Sequence, residues 1–256
     1  MRGLFSWIGA VWLGGVVALA VQSEEARLLR FPALHGGRVV FTYAGDLYTV
    51  GLSGGVARRL TSDPKGFEMF ARFSPDGKTL AFTGQYDGNT EVYVMPSEGG
   101  EPRRLTYTAT LERDDVSDRM GPNNIVMAWK DPETIVYRSR RNQWNPFKGE
   151  LTLARLSGGV PETLPVPRGG WCSFSPDGQQ MAYNRVFREF RTWKRYRGGQ
   201  ADEIWLHHFG TGQTTRLTTD PAQDVFPMWH GDRIYFVSER EDSHQANLYV
   251  MDLKDR

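Results

Sequence analysis

Residues able to do chemistry are few in this chain, and most stand in contexts that work against it. Ser53 lies in Gly51-Leu52-Ser53-Gly54-Gly55, a formal G-x-S-x-G match. That pattern presents a nucleophile only on a strained strand-to-helix turn. Here "DLYTV" precedes it, the strand-like "VARRLT" follows, and the second "LSGG" is preceded by Arg155 instead of Gly. Ser53 therefore reads as a hairpin residue. His207 and His208 are adjacent on an expected strand, so their rings point to opposite faces and cannot share one ion. His35, His230 and His244 have no helical spacing, and "GTGQTT" lacks the Lys and the following helix of a phosphate loop. No catalytic residue, metal site or cofactor is expected. Cys172 is the single cysteine, so no internal disulfide can form, and it reads as a buried thiol.

The charged segments give more room for binding. Arg185 to Gly199 carries six basic residues against Glu189, interleaved with Phe187, Phe190, Trp193 and Tyr196. Arginines and rings together can hold single-stranded nucleic acid or peptide carboxylates. The plainer reading is an insertion whose aromatics pack on the scaffold while the arginines stack or face water. The chain has 31 Lys and Arg against 30 Asp and Glu, so there is no basic footprint for nucleic acid. Glu112, Asp114, Asp115 and Asp118 cluster beside Arg113 and Arg119 without the spacing of a calcium loop, as a salt-bridged surface would. Arg138 and Arg140 share a strand face, either as a charged edge or, if that face lines a channel, as a guide for carboxylates.

The elements that must position these residues repeat. A strand led by an acid or Asn recurs as "DLYTV", "EVYVM", "ELTLA", "EIWLH" and "NLYVM", at intervals of 45, 59, 53 and 44 residues. A second marker moves with it: "RRLT" ends at Thr61 and Thr106, "PETLP" at Pro165 and "TTRLT" at Thr218. Before each acid-led strand stands an apolar one, such as "GRVVFTY" or "KTLAFTG", and Gly-rich turns separate the last two strands of a period. The phrase "FSPDG" occurs at Phe73 and again at Phe174, with the Pro, Asp and Gly of a tight turn. Four strands in a period of forty-odd residues are the pattern of a β-propeller blade. The expectation is an all-β propeller of four-stranded blades, five of them visible and the last incomplete.

The phrases "FSPDG" and "EGGEPRRLT" resemble the propeller repeats of tricorn proteases and of TolB. "LHGGRVVFTYAGDLYTV" and "TWKRYRGGQADEIWL" resemble the first and fourth blades of the N-terminal six-bladed propeller of tricorn-type serine peptidases. The resemblance covers Arg30 to the end. It implies a propeller at the front of a modular, oligomeric peptidase, with catalytic residues in later domains that have no counterpart here. In that family a loop after the second blade carries paired arginines that anchor the substrate carboxylate. The matching loop here is Thr108 to Gly121, where Arg119 matches one arginine and Asp118 stands in place of the other; Arg113 is the further candidate.

The first twenty residues stand apart. Arg2, an apolar run from Leu4 and Ala18-Leu19-Ala20 have the layout of a secretory signal peptide, followed by a linker over 21–29 and the propeller over 30–256. These features imply a periplasmic or secreted protein, free of the membrane once the signal is cleaved. The expected role is the non-catalytic propeller region of an exported tricorn-like serine peptidase, admitting or positioning peptides for a protease domain absent from this chain. The alternative is a stand-alone TolB-like propeller that binds envelope proteins. A ring of six blades with only five visible implies that the propeller is truncated.

Overall fold

The computed structural model describes residues 28–109, 121–145, 148–186, 196–240 and 245–254. These residues form five antiparallel sheets in chain order. Blade 1 comprises β1 (Arg30–His35), β2 (Arg38–Tyr43), β3 (Asp46–Gly51) and β4 (Arg58–Arg59). Blade 2 comprises β5 (Phe67–Phe73), β6 (Thr79–Gln85), β7 (Thr90–Pro96) and β8 (Arg103–Arg104). Blade 3 holds β9 (Ile125–Asp131), β10 (Thr134–Ser139), β11 (Glu150–Arg155) and β12 (Glu162–Thr163). Blade 4 holds β13 (Cys172–Phe174), β14 (Gln180–Asn184), β15 (Ile204–His208) and β16 (Thr214–Arg216), and blade 5 holds β17 (Asp224–His230), β18 (Arg233–Ser238) and β19 (Asn247–Asp252). The expected propeller is present, with its fifth blade of three strands. The signal-like segment and the whole loop from Leu111 to Met120, including Arg113 and Arg119, lie outside the described residues.

The two markers found in the sequence are one hydrogen-bonded device. The Thr that ends each "RLT" accepts from the amide of the strand opposite: Leu47 N donates to Thr61 Oγ1 at 2.9 Å, Val92 N to Thr106 at 2.9 Å and Ile204 N to Thr218 at 3.0 Å. The preceding Leu bonds back through its own amide, Leu60 to Leu47 O, Leu105 to Val92 O and Leu217 to Ile204 O. The Arg of the marker closes on the leading acid, as in Arg59–Asp46 at 2.6 Å, Arg104–Glu91 at 2.8 Å and Arg216–Glu203 at 3.0 Å. Blade 3 has neither Arg nor Thr at this place and keeps only the backbone bond, Leu164 N to Leu151 O. The markers travel together because each satisfies the other.

The repeated turn phrase is equally specific. In blade 2 Ser74 Oγ donates to Asp76 Oδ1 at 2.6 Å, the same oxygen accepts from Lys78 N, and Gly77 takes φ +71°. In blade 4 Ser175 donates to Asp177, Gln179 N donates to that carboxylate, and Gly178 takes φ +67°. Serine hydroxyl and backbone amide donors hold both carboxyls below the usual aspartate range. The sequence reading assigned the turn to Pro, Asp and Gly; the Ser hydroxyl completes it.

Blades stack through apolar faces and a few polar crossings. Val40 and Leu47 of blade 1 pack on Ala71, Leu80 and Phe82 of blade 2, and Ala182 and Ile204 of blade 4 on Ile234 and Phe236 of blade 5. Trp129 Nε1 donates to Arg72 O at 3.0 Å, and Arg72 Nε donates to Met127 O at 3.1 Å, lacing blades 2 and 3. On the two faces turned away from a neighbour, Leu34 of blade 1 and Met228, Leu248 and Val250 of blade 5 are exposed.

Glu68, at the start of β5, is fully buried where blades 1 and 2 meet, and accepts from Thr61 Oγ1 at 2.6 Å. Burial pushes its carboxyl up, against the partial opposition of the Thr61 and Tyr86 hydroxyls. A carboxyl raised above its unfolded value of 4.5 contributes stability that is full below that value and is lost as pH rises through the folded value. Glu68→Gln is therefore expected to be more stable than the parent at pH 7 and to show a flatter decline as pH rises above 4.5, read from urea midpoints. An unchanged slope would remove Glu68 as its source.

Candidate functional site: the axial cavity

The first strand of each blade lines the propeller axis, and there the chain makes an unusual turn. Phe31, Phe70 and Phe226, at matching places in β1, β5 and β17, adopt φ of +52°, +58° and +58°. Each sits where the pairing register slips, between Arg30 and Ala33, Met69 and Arg72, or Val225 and Met228. A bulge re-aims its side chain, and a bulky residue in the left-handed region persists only where packing holds it. What holds these is one another. Phe31 lies 4.2 Å from Phe70, Phe70 lies 5.7 Å from Trp171, and Trp171 lies 5.2 Å from Phe226, between ring centroids. Met127 of blade 3 joins the same core. Five blades thus contribute one large side chain each, four rings and the Met127 thioether, to an apolar floor.

Above the floor is a cavity of about 970 Å³. Its rim includes Ser74 and Pro75 from one repeated turn and Ser175 and Pro176 from the other, so the repeated phrase marks the mouth. Arg30, His35, Arg72 and Lys130 line it, and among the described residues no Asp or Glu does. Arg72 is fixed by its bond to Met127 O, a second to Ala71 O at 2.8 Å, and a position 5.1 Å above the Trp171 ring. Lys130 is held 5.1 Å from the Phe209 ring. Cys172 also borders the cavity, and burial pushes its thiol up to about 12, which leaves it unreactive at neutral pH.

The other candidates fall elsewhere. Ser53 is exposed in the turn between β3 and β4, with Gly54 and Gly55 at φ +81° and +119°, and a strand follows instead of a helix. His207 is buried and bonded to Thr214 Oγ1 at 2.8 Å, its pKa lowered first by burial, while His208 stays half-buried on the other side of β15. Among the described residues no group of His, Cys, Asp and Glu could hold a metal ion. Arg138 and Arg140 form no charged edge and do not line the cavity. They are 1% and 4% exposed, and burial together with the charge of Arg140 pushes Arg138 down to about 9. Most of the basic and aromatic insertion lies outside the described residues, but Arg185 stacks 4.4 Å over Trp205, and Arg197 donates to Glu239 O at 3.0 Å. The sequence reading missed Arg72 and Lys130. Arg72 directly precedes the first "FSPDG" and Lys130 stands in "WKDPE", which takes the place of that phrase in blade 3, but no local signal turns either toward an axis.

Fold and cavity define a β-propeller module built around an axial cavity. The chain belongs to the family described as the tricorn protease N-terminal beta propeller domain, whose profile matches residues 26–256. It is 33% identical over 221 residues to tricorn protease homolog 1 of Streptomyces coelicolor, covering 86% of this chain and 20% of that protein. It is 28% identical over 232 residues to the tricorn protease of Thermoplasma acidophilum, covering 89% and 21%. The chain thus spans about a fifth of the length of these relatives. A crystal structure of the tricorn protease superposes with a TM-score of 0.75 at 24% identity, over 90% of this chain and 22% of that one. A putative TolB from Agrobacterium tumefaciens gives 0.66 at 21% identity, over 88% and 77%, a likeness of fold.

Proposed function

We propose that this chain is the non-catalytic propeller region of an exported tricorn-like serine peptidase, admitting or positioning peptides for proteolysis by a domain outside it. The observation that carries the reading is the axial cavity itself, a concave, largely apolar site with a few fixed polar groups, in a member of the tricorn propeller family. Its volume is at the upper end of what small ligands occupy, enough for the end of a short peptide. Export follows from the leader-like first twenty residues. A sixth blade would cover the apolar faces that blades 1 and 5 leave exposed. Arg113 and Arg119 remain the candidates for carboxylate contacts in the loop after blade 2.

Tripeptides titrated into the full chain are expected to bind saturably and to change tryptophan fluorescence, because Trp129 and Trp171 border the cavity. A folded chain that binds no peptide but retains envelope proteins on a column would favour the TolB-like alternative.

A further inference from the structure

We infer that the joint between blades 3 and 4 is acid-sensitive, and that a proton taken up by His207 opens it. That behaviour is independent of what the axial cavity binds.

Alternate residues of β15 serve different neighbours. Ile204 and Leu206 pack with Ile234 and Phe236 of blade 5, whereas His207 points the other way. It stands directly opposite Met181 of β14, which belongs to one apolar cluster with Leu151 and Leu153 of blade 3. The imidazole is 1% exposed. Its Nδ1 lies 2.8 Å from Thr214 Oγ1, and its Nε2 has no hydrogen-bond partner among the described residues. Phe209 meets the ring edge-on at 5.0 Å between centroids, and Lys130 of blade 3 sits over the same Phe209 at 5.1 Å. Tyr183 and Cys172 share the cluster, and burial raises the pKa of each. The charges acting on those two come from Arg72, Arg168 and Arg185, all positive. His208, on the far side of β15, is the histidine that acts on Asp177.

A neutral ring suits this place, with one nitrogen on Thr214 and the other idle. A charged ring carries N–H donors on both nitrogens, so Nε2 would hold a buried donor with no acceptor, next to cations. Swinging blade 3 away lets water reach it. Burial first, and then the nearby His208, lower the ring's pKa below its ordinary 6.5. The opened form therefore binds the proton more tightly than the closed form. Closure is strongest above pH 6.5 and weakens as pH falls from there toward the closed-state value. Glu68, at the joint of blades 1 and 2, runs in the opposite sense, because protonation suits its buried carboxyl.

Cys172, the single cysteine, reports the opening, since it is 6% exposed in the cluster that blades 3 and 4 share. The full chain is labelled with 4,4′-dithiodipyridine, which reacts in acid, from about pH 8 to about pH 5. Each rate is divided by that of the urea-unfolded chain at the same pH. The normalised rate is expected to be constant above pH 6.5 and to rise below it by up to about tenfold per pH unit, the limit for one linked proton. Its urea dependence should stay well below that of global unfolding, the mark of a local opening. His207→Gln should flatten the rise, and His208→Gln should keep it. Labelling through the axial cavity does not involve His207 and adds only a constant floor. Should His207→Gln not fold, the imidazole NMR signals of the parent decide, with His207 titrating below 6.5. Four results each overturn the inference: a flat parent profile, an undiminished rise in His207→Gln, a His207 titration at or above 6.5, or acid-driven labelling with the full urea dependence of global unfolding.

Discussion

Glu91→Ala is expected to destabilise the propeller by about 3–5 kcal/mol, the range for breaking a buried ion pair by removing one partner. Glu91 opens β7 with no exposed surface and accepts from five donors. Arg104 Nη2 reaches one oxygen at 2.8 Å, and Thr108 N meets the same oxygen at 2.6 Å. The other oxygen takes Thr106 Oγ1 at 2.5 Å, Asn124 Nδ2 at 2.9 Å and Thr108 Oγ1 at 3.2 Å. Removing the carboxylate strands these groups where water cannot replace it, and each orphaned donor carries its own desolvation cost. Asn124 belongs to the strand region of blade 3, so the loss also loosens the joint between blades 2 and 3. Since whole domains are stable by only about 5–15 kcal/mol, the variant should sit near the edge of folding. The control is Glu203→Ala at the matching place in blade 4. There the Glu203 and Arg216 side chains are 27% and 39% exposed, and the expected cost is about 0–1 kcal/mol. Urea unfolding of both variants checks the contrast. Equal losses would mean that the repeated acid acts through the motif itself and not through burial.

Phe70→Ala is expected to cost about 3–5 kcal/mol and to lower the unfolding midpoint by about 10 °C. The ring has no exposed surface, contacts Phe31 and Trp171, and belongs to the core that includes Met69 and Met127. Alanine keeps the strained backbone at φ +58° while losing the packing that maintains it. Phe226→Ala, at the matching bulge in blade 5, should cost distinctly less, because that ring is already 38% exposed. Differential scanning calorimetry of the pair ranks them, and the reverse order would show that Phe70 does not anchor the floor.

Much of the scaffold was legible before any coordinates. Strand order, the run of five blades and the shortness of the fifth follow from local signals: alternating apolar residues, Gly and Pro at turns, and an acid and an "RLT" at a constant offset. The offset is constant because Asp46 with Arg59 and Glu91 with Arg104 must meet across one hairpin. The family resemblance was readable for the same reason, since turn phrases such as "FSPDG" are fixed by bonds within a few residues.

The site was not legible in this way, because it depends on residues far apart in the chain. "FEMFARF" reads as an ordinary apolar strand, and nothing in its alternation marks Phe70 as the residue at a left-handed bulge. Likewise Glu91 and Glu203 look equivalent in sequence, yet among the described residues only Glu91 accepts from a side chain of the next blade. By itself the sequence determined the blades, because strand period, turn chemistry and hairpin pairing are local. Only the tertiary structure decided that Phe31, Phe70, Trp171 and Phe226 meet, and that Arg72 and Lys130 share one cavity. Those positions come from separate blades, and only their packing about a common axis brings them together.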